Sequence, residues 1–137
     1  MKVLLIIMAI PVLVACNAVT VPVKVISSFS KTFPSKKNPH WIKVNENYQA
    51  IFKINNKEAT ATFDAEGKWM QTEIPTSFDE IPDEAAAYTL MGNKHPAERY
   101  ACRIVKNTGD INYGVHIQDR EMLFDEEGKY IKETKHK

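Results

Sequence analysis

The side chains that could do chemistry are few, and their spacing argues against most of it. Histidines stand at positions 40, 95, 116 and 136. They form no i, i+4 pair, no H-E-x-x-H and no Cys/His pattern of the kind that closes around zinc. Asp64, Glu66 and Gly67 invite a calcium reading. The helical calcium loop, however, wants oxygens at its first, third and fifth positions and glycine at its sixth, and here glycine comes fourth. The acidic run Asp79, Glu80, Asp83 and Glu84 offers carboxylates for acid–base work. The same run opens a helical pattern, where negative charge suits the helix dipole. No serine occupies a G-x-S-x-G elbow, and Cys102 lacks the neighbouring features that activate a thiol. The chain therefore reads as no enzyme, with no catalytic residue, no metal ligand and no cofactor.

Two tryptophans remain as candidates for contact rather than chemistry. Trp41 opens a strand in which Ile42 and Val44 hold the opposite parity, so one of the two sets must face away from the helices. Large apolar side chains on an uncovered sheet face mark binding surfaces, but a core position suits Trp41 equally. Trp69 leans further toward the core, with Met70 and Ile74 competing for its face. Trp41 and Trp69 are the candidate protein-binding residues.

The elements that would position them announce themselves by a repeated phrase. FDAEGKW at residues 63–69 returns as FDEEGKY at residues 124–130. In D-x-E-G-K the aspartate can bond the backbone of its own turn, while glycine supplies the left-handed conformation that closes a type I turn with a bulge. That geometry sets Phe63 opposite Trp69 and Phe124 opposite Tyr130. Outward from the first turn, VPVKVISSFSKTFP places Val25, Ile26, Phe29 and Phe33 on one helical face, ending before Pro34. WIKV, YQAIFKI, KEATATFD and KWMQTE then read as strands. The second half repeats the order with IPDEAAAYTLM as helix and RYACRIV, INYGVHI, REMLFD and KYIKE as strands. The expected architecture is α+β, a tandem duplication of a helix plus about four antiparallel strands, with the helices on one face of a continuous antiparallel sheet. The two repeats span residues 22–74 and 78–134 of a domain covering 22–137.

The opening MKVLLIIMAIPVLVAC has a lysine, an apolar run too short to span a bilayer, and a small-residue end, which is the form of an export signal. Leu13, Val14, Ala15 and Cys16 have the form of a bacterial lipobox. Residues 1–15 are then a lipoprotein signal peptide, Cys16 the lipid anchor and residues 16–21 a tether. Cleavage after Ala18 is the alternative, and it leaves the protein soluble in the periplasm or secreted. Asn17 after the cysteine points to the outer membrane, facing the periplasm. Cys102 falls in a strand, far from Cys16, and is expected as a buried free thiol. Net charge is +1 and no basic stripe suggests nucleic acid.

The stretches VPVKVISSFSKTFP and YQAIFKINNKEATATFDAEGKWMQTE, the lone Trp41, and a looser echo from Ile81 onward resemble the PepSY-like, β-lactamase-inhibitor-like (BLIP-like) family of exported bacterial proteins. The resemblance implies that the second sheet face is open and concave, and that this face engages an enzyme. It supplies no catalytic residues. The expected function is a non-catalytic binding module of the cell envelope, monomeric, whose partner is an unidentified envelope protein and whose role is to inhibit or regulate a secreted hydrolase. The alternative is a small-ligand carrier or sensor in the periplasm, which needs a cavity lined by Phe29, Phe33 and Tyr48.

Overall fold

A computed structural model describes residues 19–91 and 99–135. The signal peptide, Cys16, and the histidines at 95 and 136 lie outside the described residues. Helix α1 (Val23–Thr32) precedes strands β1 (His40–Val44), β2 (Asn47–Ile54), β3 (Lys57–Phe63) and β4 (Trp69–Thr76). A 3-10 turn (Phe78–Glu80) and helix α2 (Asp83–Leu90) lead into β5 (Arg99–Lys106), β6 (Ile111–Ile117), β7 (Arg120–Phe124) and β8 (Tyr130–Lys135).

The expected tandem duplication, with helices on one face of its sheet, is corrected at this point. The structure is one eight-stranded antiparallel sheet in the order β1 to β8, accompanied by two short helices. β4 pairs with β5 in unbroken register from Gln71↔Lys106 to Thr76↔Ala101, so no boundary separates two four-stranded units. Two separate units would each leave a pair of strand edges with unpaired N–H and C=O groups. A single sheet halves that number.

Local chemistry explains the turns. Asn55 and Asn56 both have positive φ, 49° and 63°, as a two-residue hairpin between β2 and β3 demands. In the first repeated turn Asp64 Oδ1 accepts hydrogen bonds from the backbone N–H of Glu66 and Lys68, both 2.9 Å. Asp125 does the same for Glu127 and Lys129 at 3.0 and 2.9 Å. Gly67 and Gly128 have φ of 87° and 93°. A register shift lies at Thr62/Phe63 in the first hairpin and at Leu123/Phe124 in the second, and the aromatic pairs Phe63↔Trp69 and Phe124↔Tyr130 form as the turn chemistry requires.

Two buried clusters make the core. Val25 and Phe29 of α1 sit over Ala50, Ala61 and Phe63. Ala50 and Ala61 are cross-strand partners, and their small side chains let the helix approach closely. Ala85 of α2 joins Ala101, Val115, Ile117, Met122 and Phe124. Asp83 and Glu84 occupy the first turn of α2, the position where the acidic run complements the dipole.

Candidate binding face

Strand alternation turns the remaining side chains to the opposite face of the sheet. Register assigns Ile42 on β1, Gln49 and Ile51 on β2, Thr60 and Thr62 on β3, and Gln71 and Glu73 on β4 to that face. It continues with Cys102 and Ile104 on β5 and Gly114 and His116 on β6. The buried residues Val25 and Phe29 of α1 belong to the first cluster and Ala85 of α2 to the second.

Several side chains on this face are nonetheless buried: Gln49, Thr62, Cys102, Ile104 and Asn112. Two of the polar ones satisfy each other, as buried polar groups must be satisfied. Gln49 Nε2 donates to Thr62 Oγ1 at 3.4 Å. Gln71 Nε2 donates to Glu73 Oε1 at 3.3 Å. Gly114 is opposite Cys102, and a Cβ there would meet the Cys102 Sγ at 3.0 Å. Missing a side chain, Gly114 leaves the room that the thiol fills.

Glu73 lies near the middle of the face, between Thr60 on β3 and Ile104 on β5. Burial, with a smaller contribution from the Glu121 carboxylate, pushes its pKa up to about 8. Desolvation likewise lifts Tyr100 to about 12 and raises the Cys102 thiol above its ordinary range. The thiol is thus protonated and shielded at neutral pH, the opposite of an activated nucleophile. It is a buried free cysteine, as the sequence suggests.

The structure does not bring Trp41 and Trp69 to this face. The Trp41 ring meets Phe29 edge-on at 5.6 Å and Phe63 at 6.1 Å, so Ile42 and Val44 are the set that faces away. Trp69 packs on the same cluster and donates its indole N–H to Thr72 Oγ1 at 3.0 Å. One side of Trp41 also lines an open groove of about 470 Å³ with Ile26, Ser30, Lys36 and Lys37. The cavity that a small-ligand carrier requires is filled by rings: Phe29 contacts Phe33 and Phe52 at centroid distances of 5.4 and 5.2 Å, and Tyr48 is buried beside them. Glu73 escaped the sequence reading because Q-T-E in a strand looks like any solvated alternation. Its register partners, Thr60 on β3 and Ile104 on β5, are distant from it in the chain.

The molecule so defined is a protein built on a single eight-stranded antiparallel meander accompanied by two short helices. No family model and no curated protein matches the sequence. Solved structures do. A DUF2874 family protein from Bacteroides ovatus superposes with a TM-score of 0.72 at 18% identity, over 85% of this chain and 88% of the other. A Bacteroides eggerthii protein whose name calls it periplasmic gives 0.75 at 14% identity, over 85% and 89%. A BLIP-like protein from Bacteroides fragilis gives 0.64 at 16% identity, over 85% and 87%. These likenesses show the fold, that of BLIP-like and DUF2874 proteins, and do not single out PepSY proteins.

Proposed function

We propose that this chain is a non-catalytic binding module of the cell envelope that inhibits or regulates a secreted hydrolase, and that it engages its partner through the face bearing Ile42, Ile51, Thr60 and Glu73. The observation that carries this reading is the face itself, on which half-buried Ile42 and Ile51 lie beside the half-buried polar side chains of Thr60, Gln71 and Glu73. Such surfaces lose little water-bound charge when covered. The BLIP-like and periplasmic names of two fold neighbours and the PepSY resemblance of the first half support the same role by analogy.

Export and anchoring belong to the proposal. Residues 1–15 act as the signal, and acylated Cys16 holds the domain at the outer membrane, facing the periplasm. Two or three acyl chains at about 0.8 kcal/mol per buried CH₂ give stable attachment. A Cys16→Ser variant is expected unprocessed or in the soluble fraction. An intact mass beginning at Val19 without lipid overturns the anchor.

The binding test uses pull-down from envelope extract with three proteins: unmodified, Thr60→Arg and Trp41→Ala. The unmodified chain should recover a hydrolase whose activity falls on titration with it, and Thr60→Arg should recover little. Full recovery by Thr60→Arg together with loss by a folded Trp41→Ala moves the site to the groove beside α1. A recovered enzyme whose rate does not change removes the inhibitor role.

A further inference from the structure

Helix α1 has a second apolar side that the core does not use. Val25 and Phe29 point into the first cluster at 0% and 2% exposure, whereas Val23 is 81% exposed and Ile26 45%. At 100° per residue, Val23, Ile26 and Ser30 share a stripe displaced from the core-facing stripe. The groove beside Trp41 continues that stripe to Lys36 and Lys37. Charge along this part of the chain is of one sign. From Val19 to Val44 there are five lysines, at 24, 31, 36, 37 and 43, and no acidic residue. Lys24 is engaged by Glu66 at 2.6 Å. By contrast Asp125, Glu126 and Glu127 crowd the turn between β7 and β8.

We propose that the outward side of α1, centred on Val23 and Ile26 and flanked by Lys36 and Lys37, is the surface with which the chain lies on an anionic phospholipid bilayer. Aliphatic side chains immersed at headgroup depth, with lysines beside them meeting lipid phosphates, are the composition of an interfacial helix. A ten-residue helix with two exposed aliphatics binds a membrane weakly by itself. The inference rests on the Cys16 anchor reading, because the anchor makes weak contact effective by keeping the patch at high local concentration. Val23 is seven residues beyond Cys16, a reach of at most about 25 Å when extended, so the anchor holds the patch within that distance of the bilayer. The sheet face that bears Glu73 is then turned away from the lipid and open to a periplasmic partner.

The test places the full lipidated chain in vesicles of phosphatidylethanolamine and phosphatidylglycerol, with a nitroxide on Val23→Cys or, on the opposite sheet face, on Lys53→Cys. Buried Cys102 and acylated Cys16 do not take the label. At position 23, collisions with lipid-dissolved oxygen relative to an aqueous nickel chelate should exceed those at 53 severalfold. Adding Lys36→Glu and Lys37→Glu should bring position 23 down to the level of 53 while the protein still pellets with the vesicles, and all-phosphatidylcholine vesicles should do the same. A chain that pellets with equal water exposure at both positions overturns the docking and leaves the anchor intact. A chain that stays in the supernatant overturns both. Equal immersion at position 23 in charged and neutral vesicles overturns the role of the lysines.

Discussion

Gly67 lies directly against the backbone of Lys24: a Cβ at Gly67 would stand 2.7 Å from the Lys24 carbonyl oxygen and 3.0 Å from its carbon. The second copy of the phrase makes the same approach to the other helix, with a Cβ at Gly128 falling 2.8 Å from the Pro82 Cβ and 3.0 Å from the Ala85 nitrogen. The repeated D-x-E-G-K turn is therefore a helix rest as well as a turn, and its glycine is required twice over, once for a φ near 90° and once for contact.

Gly67→Ala and Gly128→Ala are expected to cost more than Gly109→Ala. All three have φ near 90°, but nothing lies within 4 Å of a Cβ at Gly109. Gly109→Ala should cost about 1 to 3 kcal/mol from backbone strain alone. The other two must also displace a helix backbone, which cannot yield as a side chain can. Urea unfolding of the three variants checks this, and equal midpoints would remove the helix-rest account.

Phe29→Ala should cost about 3 to 5 kcal/mol, because its ring meets Phe33, Trp41, Phe52 and Phe63 at centroid distances of 5.4, 5.6, 5.2 and 6.3 Å. Val23→Ala, six residues earlier in the same helical stretch, removes a side chain already in water and should fall within about 0.5 kcal/mol of the unmodified protein. Chemical denaturation of the detergent-free Cys16→Ser chain separates the two.

How far the sequence carried these features depends on the distance over which each is decided. Asp64, Gly67 and their copies act within five residues, so turn, bulge and aromatic pairing were readable. Strand alternation gave the parity of Trp41 against Ile42. Which parity meets the helix depends on where α1 comes to rest, and that is set by Ala50 and Ala61. The join of β4 to β5 pairs Gln71 with Lys106 across an intervening helix, and no local pattern records it. The repeated local patterns suggest a tandem duplication on one sheet, where the structure is a single eight-stranded meander with two short helices. Glu73 shows the same limit, since its register partner on β5, Ile104, lies far along the chain.

The Cys102 thiol should be inert in the folded protein. It is 1% exposed and burial raises its pKa, so both access and ionisation oppose reaction. In the Cys16→Ser chain, where Cys102 is the remaining cysteine, a thiol reagent at neutral pH should react only on unfolding. Gly114→Ala crowds the Sγ, at 3.0 Å, and should lower stability without exposing the thiol. Fast labelling of the native unmodified thiol would contradict the packing described.

Glu73 should make stability fall as pH rises. Its folded pKa of about 8 exceeds the ordinary 4.5, so between those values the folded chain holds a proton that the unfolded chain has lost. Stability then decreases with pH by up to about 1.4 kcal/mol per pH unit, less where solvent screens the group. The contribution of protonated Glu73 is complete below about 4.5 and is lost as pH rises through about 8. Glu73→Gln keeps a neutral, hydrogen-bonding side chain beside Gln71 and removes the titration. The variant should match the unmodified protein near pH 5, exceed it at pH 9, and show a flatter profile between. Unfolding midpoints measured from pH 5 to 9 check this, and parallel profiles for the two proteins would mean that Glu73 is ionised in the fold at neutral pH.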